Sequence, residues 1–122
     1  NFVRDRADLA VALLTRCTTD VEQSKRLISI YFDRQQEWMR AQQVGLAIQS
    51  IASMNGIPYE RIQTCTTDRA LVEHMVTMRD DGVKTYDIHH TPTIVLNGTK
   101  AKYSSYEDFI MQVRRAVALA EQ

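Results

Sequence analysis

Apolar residues three or four positions apart predict five helices before position 86 of the chain. Asp5, Asp20 and Asp68 each stand where a side chain can cap the helix that follows. Asn55-Gly56 is typical of a left-handed C-terminal cap, and Pro58 suits the first turn of the fourth helix. The predicted apolar faces are Leu9, Leu13 and Cys17; Val21, Leu27, Ile28, Tyr31 and Phe32; Val44, Ala47, Ile48, Ile51 and Met54; Ile62 and Cys65; and Leu71, Met75 and Met78.

Trp38 lies in the polar stretch 35–40, which predicts a helix end and a connection. We place Trp38 with Tyr31 and Phe32 in the core of the helical block, because large aromatic side chains bury the most apolar area. The methionines expected in the same core are Met54, Met75 and Met78.

The pattern changes to a strand period after Tyr86. Residues 93–96 form a β-rich run, Asn97-Gly98 is the strongest hairpin signal in the chain, and residues 99–103 supply the return strand. Three apolar residues in succession, 94–96, favour a strand buried on both faces, as in a larger sheet, for which Phe2-Val3 is the other candidate. The closing helix begins with a capping box of Ser105 and Asp108, and its apolar face comprises Phe109, Ile110, Val113, Val117 and Ala120.

The length of 122 residues fits one modest domain. Hydrophobic residues make up 44% of the chain and charged residues 25%, which excludes wholesale disorder. Fifteen basic and fifteen acidic side chains balance, so the basic field of a nucleic-acid-binding protein is missing. No apolar run approaches a bilayer span, and the first residues lack the pattern of a signal peptide. We therefore expect a globular domain that does not bind nucleic acid.

Two cysteines, Cys17 and Cys65, stand 48 positions apart. Their spacing excludes a Cys-x-x-Cys motif, and their number excludes a four-cysteine zinc site inside this chain. From the residues alone two interpretations stand, either one disulfide or two unrelated buried thiols. His89 and His90 do not form a predicted metal site, because neighbours in an extended segment point to opposite sides.

The most specific segment is His89-His90-Thr91-Pro92-Thr93-Ile94-Val95-Leu96-Asn97-Gly98. Followed by a capped helix, it resembles the end of a thioredoxin fold. With the helices in front of it, the chain resembles the DsbA-like family of thiol–disulfide oxidoreductases, in which a helical domain is inserted into an α/β thioredoxin-like fold. Further matching stretches are Asn1-Phe2-Val3-Arg4-Asp5, Leu13-Leu14-Thr15-Arg16-Cys17, Gln35-Gln36-Glu37-Trp38 and Tyr86-Asp87-Ile88.

The resemblance implies a cis-proline loop at Thr91 and Pro92 that packs against the catalytic disulfide. It also implies that His90, Thr91 and Pro92 contact an extended substrate peptide. Thr91 and Pro92 would then be the active-site residues that this chain retains. The chain departs from the family in having Asp87 and His90 where glycine is frequent, and in lacking the catalytic Cys-x-x-Cys.

The missing motif leads us to expect a C-terminal piece of a longer protein, inactive by itself. The rival expectation is a natural relative without redox activity. The predicted domain organisation is a remnant of the thioredoxin domain over residues 1–19, a helical insertion over 20–85, and the C-terminal thioredoxin segment over 86–122. A sheet cut off in this way would expose residues 94–96, so we expect dimerisation or strand exchange through them.

For the full-length protein, the resemblance implies a disulfide oxidoreductase of the bacterial periplasm or another extracytoplasmic compartment. Its substrates would be reduced or misoxidised secreted proteins, and a membrane or soluble redox partner would reoxidise it. No cofactor and no metal are expected. Some family members carry a second, non-catalytic disulfide in the helical region, and on that resemblance we favour a structural Cys17–Cys65 bridge.

Two alternatives stand beside this prediction. The first is an enzyme of the same architecture that uses glutathione, similar to kappa-class glutathione transferases or to isomerases. The second is a redox-inactive module whose proline loop only binds peptide. The residues encoded before Asn1 distinguish the three, because a Cys-x-x-Cys about one βα unit upstream selects the oxidoreductase.

Overall fold

The computed structural model of the protein describes residues 2–122, so Asn1, at the start of the predicted strand remnant, lies outside the described residues. Within residues 2–122 the chain forms seven helices and one two-stranded sheet. In chain order the elements are α1 (Arg6–Thr15), α2 (Val21–Asp33), α3 (Gln35–Met39), α4 (Val44–Met54), α5 (Tyr59–Thr66), α6 (Arg69–Tyr86), β1 (Val95–Leu96), β2 (Thr99–Lys100) and α7 (Tyr106–Ala120).

The chain divides into two compact units, one ending at Arg79 and the other spanning Asp80–Gln122. The boundaries that the sequence predicts, after positions 19 and 85, stay a prediction. In the first unit, Phe2 and Val3 form no strand, and Val3 is buried instead against α1 and α6.

Local polar signals begin and end the helices as the sequence predicts. The carboxylates of Asp5, Asp20 and Asp68 each accept a hydrogen bond from the backbone N–H three residues on, over 2.8, 2.7 and 3.1 Å. These bonds satisfy backbone donors that have no partner inside the helix. After α4, Gly56 takes a φ of +93°, which glycine adopts without a Cβ clash. The caps at these positions are confirmed.

α1 lies between two apolar clusters of the first unit. Leu14 is buried in the larger cluster, whereas Ala12 and Leu13 are buried in the smaller one. One helix therefore contributes to both parts of the core. The other buried members of the larger cluster are Leu27, Tyr31, Trp38, Ile48, Ile51, Ala52, Ile57 and Ile62, and those of the smaller one are Val3 and Met75.

Tyr31 joins three consecutive helices inside the larger cluster. Its hydroxyl donates a hydrogen bond of 2.6 Å to the carbonyl of Ile48 on α4. The indole N–H of Trp38 on α3 donates to the carbonyl of Tyr31 over 2.9 Å, and the two rings meet edge to face with centroids 6.3 Å apart. Burial raises the pKa of the Tyr31 phenol, so it stays a neutral donor. The predicted core positions of Tyr31 and Trp38 are confirmed.

Part of the predicted apolar face of α2 is wrong. Leu27 and Tyr31 are buried, but Val21, Ile28 and Phe32 are exposed, Phe32 by 71%. Since each helical residue turns by about 100°, these three share a stripe roughly a third of a turn from Leu27 and Tyr31. Helices α1 and α4 pack on the Leu27 side, so this second stripe faces solvent.

Two further differences arise where α3 and α4 end. Trp38 lies on the short helix α3 rather than in a connection, so six helices precede the hairpin instead of five. Met54, the last residue of α4, is 72% exposed although the sequence places it in the core. The turn at Gly56 brings Ile57 into the core instead, with its N–H bonded to the carbonyl of Ala52 over 3.1 Å.

The second unit contains the predicted hairpin and closing helix. Asn97 and Gly98 have φ values of +48° and +82°, as a tight two-residue hairpin requires, and Val95 pairs with Lys100. The Asn97 side-chain amide donates to the carbonyl of Ala116 on α7 over 3.1 Å. Residues 94–96 are only half-buried, so the expected burial on both faces is wrong, because the sheet of the described chain has two strands.

Removing the Tyr31 hydroxyl will destabilise the first unit without changing its packing volume. We expect Tyr31→Phe to lower the free energy of unfolding by about 1 kcal/mol, the net value of one buried hydrogen bond. Urea unfolding followed by tryptophan fluorescence measures the change. The matched control is Tyr59→Phe, because Tyr59 is 69% exposed. Equal stability of the two variants would contradict the role given to the Tyr31–Ile48 bond.

Candidate functional site

The candidate site is the loop of residues 87–93, which connects α6 to the hairpin. The peptide bond between Thr91 and Pro92 is cis. His89, His90, Thr91 and Pro92 are all exposed. The structure thus brings the three sequence-predicted substrate-contacting residues together on one accessible loop of the second unit.

Two contacts shape the loop on either side of the proline. Before it, the backbone N–H of Asp87 donates to the carbonyl of Val83 over 2.9 Å and so caps the end of α6. Across it, the hydroxyl of Thr93 donates to the carbonyl of His90. The second bond spans Thr91 and Pro92, so it holds the short segment that carries the predicted active-site residues as a turn.

Asp87 stands in the left-handed region, with a φ of +53°. A residue with a Cβ is uncommon there, although Asp tolerates the region when its side chain bonds locally. Asp87 makes such a local side-chain bond, in which Nε2 of His89 donates to Oδ1 of Asp87. This bond, then the charge of His89 and more weakly that of Lys100, lowers the pKa of the Asp87 carboxyl. The carboxylate is therefore the favoured form beside the histidine.

Lys100 also contacts this loop, and the sequence did not predict that contact. Its ammonium group on β2 donates to the backbone carbonyl of Asp87 over 3.0 Å. Thirteen positions separate the two residues, and no short-range spacing rule connects them. One indication is present in the sequence, which is the aspartate at position 87, where the DsbA-like family that the chain resembles often has glycine.

Cys17 and Cys65 form a disulfide in the first unit, with Cα atoms 6.0 Å apart. The bridge connects the turn after α1 to the last turns of α5. Cys17 is only 2% exposed, and Cys65 is half-buried. Because the sequence contains no further cysteine, both of its thiols are paired.

Residues 2–122 contain neither a cluster of metal-ligating side chains nor a membrane-spanning helix. In that range no three His, Cys, Asp or Glu side chains lie together as ligands for a metal ion. No helix within the same range combines the length and the apolar character needed to cross a bilayer.

The profile of the Thioredoxin family matches residues 1–115. The chain therefore belongs to this family, and the predicted α/β thioredoxin-like fold, mostly helical in this chain, is confirmed. The match includes both the helical block and the loop at Thr91 and Pro92. No solved structure matches the chain.

Curated relatives come from three Rickettsia species. The proteins of Rickettsia typhi and Rickettsia prowazekii are each 22% identical over 116 residues, and that of Rickettsia felis is 21% identical over the same length. Each is named "putative protein-disulfide oxidoreductase". The alignments cover 95% of this chain but 43%, 43% and 42% of the relatives. The chain thus spans less than half the length of the relatives it matches.

The disulfide will contribute strongly to the stability of the first unit. In the chain-entropy model a bridge across this loop length is worth about 4 kcal/mol, so the Cys17→Ala/Cys65→Ala double variant should unfold at much lower urea concentration. The wild-type chain unfolded in the presence of reductant is the control, and it should behave like the double variant. Alkylation followed by mass measurement verifies the redox state of each sample. A loss of stability below about 1 kcal/mol would contradict a structural role for the bridge.

Proposed function

We propose that the protein containing this chain is a thiol–disulfide oxidoreductase that forms or rearranges disulfides in secreted proteins. The observation that carries the proposal is the match of the Thioredoxin family across residues 1–115, a range that includes the exposed loop at Thr91 and Pro92. The names of the Rickettsia relatives support the same activity.

The proposed chemistry is thiol–disulfide exchange at a Cys-x-x-Cys disulfide supplied by another part of the protein. A substrate thiolate attacks one sulfur of that disulfide and releases the other as a thiolate, which gives a mixed disulfide. A second substrate thiolate then attacks the substrate-side sulfur. The substrate leaves with a new disulfide, and the enzyme retains two electrons as a dithiol. A membrane or soluble redox partner removes those electrons.

In this scheme the chain positions the substrate and does not exchange electrons. His90, Thr91 and Pro92 lie on an exposed loop, where an extended polypeptide can pair with the backbone. Holding the substrate sulfur in line with the catalytic disulfide lowers the entropic part of the barrier. We assign Thr91 and Pro92 to the active site on this ground, with His90 as a further substrate contact.

We propose an extracytoplasmic location for the protein. Its support is the Cys17–Cys65 disulfide, because structural disulfides persist in oxidising compartments and are rare where thiols are kept reduced.

Reduced or misoxidised secreted proteins are the proposed substrates. For the chain by itself, we propose self-association through the half-buried residues 94–96.

The isolated 122-residue chain should not oxidise a reduced test protein above the background rate. The Cys17–Cys65 disulfide would have to be the oxidant, and a substrate thiolate has restricted access to it because Cys17 is buried and Cys65 is half-buried. Recovery of activity by reduced ribonuclease measures oxidation. The Cys17→Ala/Cys65→Ala variant is the control and should give the same background. Oxidation by the wild-type chain but not by this control would make the Cys17–Cys65 pair catalytic and would contradict the assignment.

In the complete protein, removing the Thr91 hydroxyl should impair turnover of protein substrates. We expect Thr91→Ala to lower kcat/KM for a reduced protein by about tenfold, which corresponds to the loss of one substrate interaction of about 1.4 kcal/mol. Thr99→Ala is the matched control, because Thr99 is an exposed threonine of the hairpin that follows the loop. If the two variants have equal kcat/KM, Thr91 is not an active-site residue.

A further inference from the structure

The start of the candidate loop, where the chain leaves α6, is held through a single residue. Residues 87–90 belong to no helix or strand, so regular backbone pairing does not fix them. Asp87 is instead bonded through its backbone N–H to Val83, through its backbone carbonyl to Lys100, and through its carboxylate to His89. Its N–H, carbonyl and side chain are thus all engaged.

These bonds join three different parts of the second unit. Val83 belongs to the last turns of α6, His89 lies two residues before Thr91, and Lys100 is the last residue of β2. The bond from Lys100 connects the start of the loop to the hairpin that follows it. The loop is therefore closed at its base by a side chain, and Thr91 and Pro92 lie within the closed segment.

The choice of residue at position 87 also restricts the start of the loop. A glycine would adopt the φ of +53° without steric cost. It would also adopt many other conformations, so it would not hold the backbone in the left-handed region. For aspartate the left-handed conformation has a steric cost, because its Cβ crowds the backbone. The hydrogen bond to His89 offsets part of that cost. The lowered pKa of Asp87 keeps its carboxylate charged for this bond.

We propose that Asp87, His89 and Lys100 are positioning residues for the polypeptide substrate of the oxidoreductase. Together they hold the loop in the conformation that accepts an extended chain. They are exposed and bonded to each other, so the proposed role is to act through the loop. The inference rests on the proposed function. It adds the residues that determine how tightly the enzyme binds a protein substrate, a surface that small thiols do not use.

The proposal separates two kinds of substrate. A reduced unfolded protein needs the loop to be preorganised, because its extended backbone pairs with several loop atoms at once. A small dithiol such as dithiothreitol reacts with the catalytic disulfide and needs no such surface. Loosening the loop should therefore raise KM for the protein and leave the rate with the dithiol unchanged.

The test is Lys100→Met in the complete protein, because methionine keeps most of the unbranched side chain and removes its donor. We expect KM for a reduced unfolded protein to rise roughly three- to tenfold, with kcat and the dithiothreitol rate unchanged. Lys100→Arg retains a donor and should restore KM most of the way. Lys102→Met is the matched control, since Lys102 is an exposed lysine just beyond the same strand.

Hydrogen–deuterium exchange of the same variants gives a second measurement that does not depend on turnover. Exchange of the Asp87 amide, whose N–H is bonded to the carbonyl of Val83, should be faster in Lys100→Met than in wild type or in Lys102→Met. The helices of the first unit should exchange at unchanged rates. A matching change in the Asp87→Gly variant would support the shared role of the two residues.

Three results would overturn the proposal. These are an unchanged KM in Lys100→Met, an equal rise in Lys102→Met, or a parallel fall of the dithiothreitol rate. If the wild-type protein exchanges no disulfides at all, the proposed function fails. The positioning of the loop is then decided by hydrogen exchange alone, and equal exchange in Lys100→Met and Lys102→Met refutes it.

Discussion

The candidate site depends on how the chain leaves α6 at Asp87. A helix that simply ended at Tyr86 would leave its last carbonyls to solvent and the following residues free to move. The left-handed Asp87 turns the chain, and the Lys100 ammonium group then bonds to the carbonyl that the turn exposes. The loop with Thr91 and Pro92 is thereby connected to the hairpin at its base. Each individual bond is a modest surface contact, so the geometry depends on their convergence on one residue.

The two units are stabilised in different ways. The first has a buried interior in which Tyr31 and Trp38 satisfy their own polar groups while they pack against Ile48. In the second, α7 has no fully buried residue, and the hairpin is held on it by polar contacts such as that of Asn97 with Ala116. A two-stranded hairpin is marginal by itself, so these contacts carry more of the stability there than they would in a packed core.

Local signals were predictable from the sequence, and long-range choices were not. The caps at Asp5 and Asp20 and the hairpin turn at Asn97-Gly98 depend on neighbours a few residues away, which the sequence displays directly. The exposed stripe containing Phe32 could not be predicted, because α2 carries two apolar stripes and the side that is buried depends on where α1 and α4 pack.

The same distinction applies to the site. A loop with a proline before the hairpin was predictable, because the Asn-Gly turn signal is a short-range pattern, while the active-site role of Thr91 and Pro92 stays a prediction. The contact between Lys100 and Asp87 was not, because it forms only after the hairpin folds back and brings β2 beside the end of α6. A lysine on an exposed strand is otherwise typical of a solvated edge.

Burial distinguishes the disulfide of this chain from the one that the proposed reaction requires. Exchange needs a substrate thiolate to approach one sulfur of the disulfide, so a catalytic disulfide has an accessible sulfur. Cys17 is 2% exposed and Cys65 is half-buried, whereas Thr91 and Pro92 are exposed on a loop. The bridge therefore suits stabilisation of the helical unit, and the loop suits contact with substrate. The proposal accordingly assigns polypeptide binding to the loop of the second unit and a structural role to the Cys17–Cys65 disulfide.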